Sequence, residues 1–179
     1  TAKQLGSIAI GGQNVELSIT GGCVSAEHKA GSSGQNGSDG YSLGGKDCSI
    51  IIGTNGSLEA YPFVRAVGRG TLPGIGGIQT DVTIHSGTVY ALADGNSAAI
   101  GGYFACASGP ITITGGTVGA FNTNTGSGTS IGVRATSSQF NNNLPLPVVI
   151  NITGGTVTAS GTFGGGPYVE GEGNTSSVT

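Results

Sequence analysis

Apolar and polar residues alternate along short stretches of this chain, and one alternating phrase keeps returning. Ile111-Thr112-Ile113-Thr114 is followed by Gly115-Gly116 and then by Thr117-Val118-Gly119-Ala120. Strict alternation is the period of a strand with one buried face, so the phrase predicts two strands joined at a glycine corner. Leu17 to Ala26 reads LSITGGCVSA, Val82 to Ala91 reads VTIHSGTVYA and Ile150 to Ala159 reads INITGGTVTA. SIIIGTNGSLEA, from Ser49 to Ala60, is a worn copy. Ahead of each second-strand segment stands a short apolar-glycine segment: Ile10-Gly11-Gly12, Leu43-Gly44-Gly45, Ile75-Gly76-Gly77, Ile100-Gly101-Gly102 and Ile131-Gly132. The chain therefore reads as about five units of three short strands, with Cys23, Ser57, Thr88, Thr117 and Thr156 at equivalent positions.

Alternation also assigns the faces. In the middle strands the inward pairs are Leu17/Ile19, Ile50/Ile52, Val82/Ile84, Ile111/Ile113 and Ile150/Ile152. In the third strands they are Val24/Ala26, Leu58/Ala60, Val89/Ala91, Val118/Ala120 and Val157/Ala159, and the first strands contribute Ile8/Ile10, Leu43, Ile75, Ile100 and Ile131/Val133. Like residues stack on like at every level, and each buried Val, Leu or Ile contributes roughly 1.5–3 kcal/mol. Equivalent segments lying over one another at ~4.8 Å make a parallel stack. The expectation is an all-β chain: a single-stranded parallel β-helix of about five irregular rungs, right-handed as parallel crossovers are. It should occupy residues 1–160, with 161–179 as a Gly-rich C-terminal arm. Glu27 to Gly40, Tyr61 to Pro73, Ala93 to Ser97, Asn122 to Ser130 and Thr136 to Pro147 are rich in Gly, Ser, Asn and Pro and read as loops. A propeller blade would need four antiparallel strands in ~40–45 residues, which the units do not supply.

The pairing of I-G-G with I-T-I-T-G-G-T-V-T-A resembles the Gly/Thr-rich β-helical repeats of bacterial secreted and cell-surface proteins, over roughly Gly6 to Ala159. The resemblance implies an extracellular or cell-surface location. Some relatives of that kind bind plant or host polysaccharides. Unit two, with Ile52-Gly53-Thr54-Asn55-Gly56, and the long inserted loops depart from the repeat.

Composition narrows the picture. Glycine is 37 of 179 residues without a collagen period, and charged residues are only 8%. Almost no window lacks Gly or a β-branched run, so long helices are not expected. A net charge of −3 leaves no basic footprint for nucleic acid, and no apolar run is long enough to insert in a membrane. Cys23, Cys48 and Cys106 show no C-x-x-C spacing. One disulfide plus a free thiol and three buried thiols are both open.

The search for chemistry returns no catalytic residue, no cofactor site and no metal site. A glycosidase needs two carboxylates about 5–9.5 Å apart, and no two acids fall on one strand face at adjacent rungs. Asp47 and Asp81 come nearest to each other, where the middle strand begins. His28 and His85 lack a Ser or Cys partner in a recognisable setting. The outward positions of the middle strands, Ser18/Thr20, Ser49/Ile51, Thr83/His85, Thr112/Thr114 and Asn151/Thr153, form a polar face. Such a face suits polysaccharide, ice or another subunit, although Ile51 and His85 break the regular T-x-T array that ice would want. Tyr41, Tyr61, Phe63, Tyr90, Tyr103 and Phe104 are expected to be exposed and able to stack on sugars, or equally to cover loops over the helix.

A solitary β-helix has two open ends. Here Ser7-Ile8-Ala9-Ile10 starts the first rung almost at once, and no amphipathic helix is present to cap it. Ile8 and Ile10 at one end and Tyr168 and Val169 at the other are the expected assembly residues. The leading expectation is a non-catalytic extracellular structural protein, a homo-oligomer or polymer stacking end to end into a fibre or surface array. The alternative is a carbohydrate-binding cell-surface adhesin module. A polysaccharide lyase or hydrolase and an ice-binding protein rank below these.

Overall fold

The computed structural model describes residues 2–5, 9–29, 41–56, 61–102, 108–124, 129–133, 148–160, 162–164 and 177–178. The described residues hold strands and turns and no helix. In chain order the strands are β1 (Ala2–Leu5), β2 (Ile10–Gln13), β3 (Glu16–Ile19), β4 (Cys23–Lys29), β5 (Leu43–Lys46), β6 (Ser49–Ile52), β7 (Phe63–Gly68), β8 (Ile75–Ile78) and β9 (Asp81–Ile84). They continue as β10 (Thr88–Ala93), β11 (Ala98–Gly101), β12 (Ile111–Ile113), β13 (Thr117–Asn122), β14 (Thr129–Gly132), β15 (Val149–Ile152), β16 (Thr156–Ser160), β17 (Thr162–Gly164) and β18 (Ser177–Val178).

Every third strand falls in the same sheet. Sheet A is ordered β1-β4-β7-β10-β13-β16, sheet B is β2-β5-β8-β11-β14-β17 and sheet C is β3-β6-β9-β12-β15-β18, and the pairings are parallel. The chain is thus a parallel β-helix with five complete coils, from β2-β3-β4 to β14-β15-β16. One strand precedes the first coil in sheet A, and one strand each follows the last in sheets B and C.

The core is a set of columns, one residue per coil. In sheet C, Leu17-Ile50-Val82-Ile111-Ile150 and Ile19-Ile52-Ile84-Ile113-Ile152 are in register. In sheet B the column is Ile10-Leu43-Ile75-Ile100-Ile131. In sheet A, Val24-Val64-Val89-Val118-Val157 and Ala26-Ala66-Ala91-Ala120-Ala159 are in register. The columns are fully buried in the middle coils. Ile10, Leu17 and Val24 at one end and Ile152 and Val157 at the other are half-buried.

Unit two differs from the sequence expectation. Leu58 and Ala60 were assigned to its third strand, and Ser57 to the position of Cys23. The strand in register is β7, where Phe63 pairs with Cys23 and Thr88, and Val64 and Ala66 fill the two apolar columns. Part of the expected loop from Tyr61 to Pro73 is therefore core strand, and residues 57–60 lie outside the described residues. Pro62 stands where other units have the second corner glycine, its carbonyl accepting from Thr88 N as Gly87 and Gly116 accept from Thr117 and Thr156. The loop expected from Glu27 is also shortened, because β4 runs to Lys29.

A further column was not anticipated. Asn14, Asp47 and Gln79, between the strands of sheets B and C, have φ of 55°, 53° and 50°. Asn14 N donates to Lys46 O and Asp47 N to Ile78 O, so one left-handed corner is repeated in three coils. Asn and Asp tolerate this conformation and Gln does so at some cost. Polar groups inside the coil are mostly satisfied: Thr80 Oγ1 donates to Gly45 O at 2.9 Å and Asn122 Nδ2 to Ser97 O at 2.7 Å. Cys23 is an exposed free thiol and Cys48 a buried one, which removes both a disulfide through either and the picture of three buried thiols. Cys106 lies outside the described residues.

The exceptions to polar satisfaction among the described residues are the hydroxyls of Thr54, Ser97 and Ser108 and, with both ring nitrogens, His28. His28 points inward from β4, is 2% exposed, and neither ring nitrogen has a partner among the described residues. Burial pushes its pKa below the ordinary value. The folded chain therefore binds this proton less readily than the unfolded chain. The neutral ring is accommodated in full above the ordinary histidine pKa of about 6.5, and stability falls as pH drops below it. The melting temperature should decline between about pH 7 and pH 5, and His28→Leu should flatten that decline in thermal melts at constant ionic strength. A decline of unchanged slope in the variant would remove His28 as its cause.

Candidate functional site

Three surfaces and the two ends carry the candidate residues. The outer face of sheet C holds Ser18, Ile51, Thr83, Thr112 and Asn151 in one register column. The next column is built by one repeated backbone bond: Gly53, His85, Thr114 and Thr153 donate to the carbonyls of Ile19, Ile52, Ile84 and Ile113. Ser18, Thr20, Thr83, His85, Thr112, Thr114, Asn151 and Thr153 are therefore brought together, as alternation predicts. His85 Nδ1 lies 2.8 Å from Thr114 Oγ1, tying adjacent coils across the face. Ile51 and Gly53 interrupt the hydroxyl array on the second coil.

At the corner between sheets B and C an open groove of about 500 Å³ is lined by residues including Glu16, Asp47, Cys48, Gln79 and Asp81. Glu16, Ser49 and Asp81 are in register, so the two carboxylates of that column are two coils apart, about 10 Å. Asp47 and Asp81 line the same groove. Among the described residues no group of three His, Cys, Asp or Glu side chains is placed to hold a metal ion.

The outer face of sheet A was largely missed in the sequence. Phe63 and Arg65 fall in what reads as a loop, yet β7 places both on this face. In register are Cys23-Phe63-Thr88-Thr117 and Ser25-Arg65-Tyr90-Gly119. The rings of Phe63 and Tyr90 are 6.0 Å apart and tilted by 48°. A side chain on Gly119 would meet the rings of both Tyr90 and Phe121, so those two rings share the space over it. Tyr61, Phe63 and Tyr90 are among the most exposed large apolar residues described. Tyr41 is buried, against expectation, its ring lying beside Gly77. Tyr103 and Phe104 lie outside the described residues.

The two arginines on this side differ. Arg69 reaches Asp94 at 3.0 Å and Glu27 at 3.5 Å, and these acids hold its pKa above the ordinary value. Asp94 also accepts from Gly70 N at 2.7 Å, so the cluster fastens one turn to another. Arg65 is half-buried and has no hydrogen-bond or ion-pair partner among the described residues.

At the ends, Ile10 pairs with Leu43 and is half-buried at the open side of the first coil. Ile8, Tyr168 and Val169 lie outside the described residues. Comparison with protein-family models, with curated proteins and with solved structures finds no match to this chain.

Proposed function

We propose that this chain is a non-catalytic structural protein of the cell exterior that assembles end to end into a fibre or surface array. The observation that carries the reading is the complementary stagger of the two ends. At one end sheet A projects by β1 while sheets B and C stop at β2 and β3. At the other end sheets B and C project by β17 and β18 while sheet A stops at β16. Two copies placed end on end in the same direction would set β16 beside β1, β17 beside β2 and β18 beside β3. All three sheets would then run on without a gap, and the strand edges would find partners for groups otherwise left to water.

The register columns agree at that junction. Phe163 and Gly164 hold the positions of Ile131 and Gly132, and would stand over the next copy's Ile10 and Gly11. Val178 holds the position of Ile150 and would stand over Leu17. Ala159 would meet Ala2, which is in register with Ala26. Apolar meets apolar and glycine meets glycine, and the half-buried end residues would become interior. Such a contact is heterologous and propagates without closing. The resemblance to Gly/Thr-rich surface repeats is consistent with this role.

The test uses one blocked end at a time. Wild-type protein should give rods in electron micrographs, with a light-scattering mass that grows with concentration. Leu17→Glu blocks one end and Val157→Glu the other, so each variant alone should be monomeric with an unchanged circular dichroism spectrum. Mixed in equal amounts, they should form a dimer through the two unblocked ends and nothing longer. Wild-type protein that stays monomeric at high concentration overturns the reading.

A further inference from the structure

We infer that the outer face of sheet A is a binding site for an acidic polysaccharide, with uronate carboxylates held by Arg65 and sugar rings lying on Tyr90 and Phe63. The inference goes beyond end-to-end assembly and does not depend on it. Its first support is the contrast between the two arginines. Arg69 is neutralised by Glu27 and Asp94, whereas Arg65, in register with Tyr90, has a guanidinium without a partner among the described residues, on a chain whose net charge is −3. A planar fork of donors that meets no acid among the described residues matches a carboxylate from outside, bound through two parallel hydrogen bonds.

The second support is the arrangement of rings. Phe63, Tyr90 and Phe121 come from successive coils, β7, β10 and β13. At ~4.8 Å per coil the row extends about 10 Å along the helix axis, longer than a single sugar ring. It faces outward, so a polymer can lie across it without having an end to insert. Thr88 and Thr117 continue the register column of Phe63 and offer hydroxyls to a polyhydroxylated ligand. Aromatic faces pack well against the apolar C–H faces of sugar rings, and the tyrosine hydroxyl stays wet.

The third support is size, which argues against a folded protein as the occupant. Tyr61, Phe63 and Tyr90 are 62%, 39% and 40% exposed. At ~200 Å² per aromatic residue they offer together roughly 300 Å². A stable protein interface needs about 800 Å² per partner. A polysaccharide needs one ring face for each sugar it stacks and one cation for each acid it pairs.

The experiment is isothermal titration and affinity electrophoresis of the whole chain with polygalacturonate, and with the same polymer after reduction of its carboxyl groups to alcohols. A chelator is included so that calcium cannot bridge the polymer to the Glu16/Asp47/Asp81 groove. Polygalacturonate should bind, more weakly as salt is raised, and the reduced polymer should bind at least about tenfold less well. Arg65→Gln should bring polygalacturonate down to the level of the reduced polymer. Arg65→Lys, which keeps the charge and loses the fork, should fall between. Tyr90→Ala should weaken both polymers, and circular dichroism establishes that each variant is folded. The series is repeated in the Leu17→Glu background, so that avidity along an assembly is separated from the site and failure of assembly leaves the binding test intact. Equal affinity for the two polymers, binding that needs calcium, binding indifferent to Arg65→Gln and Tyr90→Ala, or self-association lost in Arg65→Gln would each overturn the inference.

Discussion

Ile113→Asp is expected to abolish folding, while Thr114→Asp, one residue further on, leaves the fold intact. Ile113 is fully buried in the column between Ile84 and Ile152, and that column holds no basic residue. A carboxylate there must be desolvated without a partner, or protonated, and either costs several kcal/mol. Removing the isoleucine also takes apolar contacts from both neighbouring coils, at about 2–5 kcal/mol for loss of such a side chain. A domain stable by about 5–15 kcal/mol does not withstand the sum. Thr114 is exposed and its hydroxyl sits 2.8 Å from His85 Nδ1, so an aspartate there meets water and an imidazole. Its cost should stay within about 1 kcal/mol. Far-ultraviolet circular dichroism and denaturant unfolding of the two purified variants check the pair. An Ile113→Asp protein with an unchanged midpoint would show that the inward and outward faces are reversed.

The same alternation explains which parts of the fold were legible. Leu17, Ile50, Val82, Ile111 and Ile150 could be aligned from sequence because each stands two places before another apolar residue and close to a corner. Their stacking follows once the alignment is made. Unit two could not be read this way. SLEA and FVRA both alternate, and the local phrase after Ile52 looks like the corner of the other units. In a parallel stack, register against the coils above and below decides between them: Val64 fits between Val24 and Val89. That information is not local. The Asn14/Asp47/Gln79 corner was hidden for a different reason, since only two of its three residues are types that favour positive φ.

The candidate surfaces follow the same division. The Thr/Ser face of sheet C lies on the outward positions of one recognisable strand and was visible except in unit two, where the pair is Ile51/Gly53 and not Ser49/Ile51, because Ser49 stands in the column of Glu16 and Asp81. The aromatic and arginine face of sheet A takes Phe63 and Arg65 from a strand read as loop, Tyr90 from the next coil and Phe121 from the one after. Its only sequence signal is the third strand itself, once Val64 and Ala66 are placed in the apolar columns. His28 likewise reads as loop in the sequence, whereas β4 continues through Glu27 to Lys29. The proposed end-to-end fit depends on the register of β17 and β18: Phe163-Gly164-Gly165 is a copy of the apolar-glycine phrase that stands outside the five units read from sequence, and Ser177-Val178 carries no repeat phrase.

Gly76→Ala is the second substitution expected to be severe, although it adds one methyl group. Gly76 sits in β8 with a φ of +119°, in the column Gly11-Gly44-Gly76-Gly101-Gly132. An L-residue rarely adopts that angle, and the strain alone is about 1–3 kcal/mol. The added carbon would also be directed onto the carbonyl oxygen of Gly101, a backbone atom of the next coil. Coils held at ~4.8 Å by ladder hydrogen bonds cannot separate locally without breaking those bonds. Gly22 is the matched control: its φ is +75°, and no atom lies near the position a side chain would take. Gly22→Ala should cost only the left-handed strain, about 1–2 kcal/mol, and Gly76→Ala at least about 4 kcal/mol. Guanidinium unfolding midpoints of the two variants against wild type measure the difference. Equal shifts would mean that the glycine column is kept for its backbone angles alone. A much larger shift for Gly76→Ala would show that close approach of one coil's backbone to the next excludes every side chain from that column.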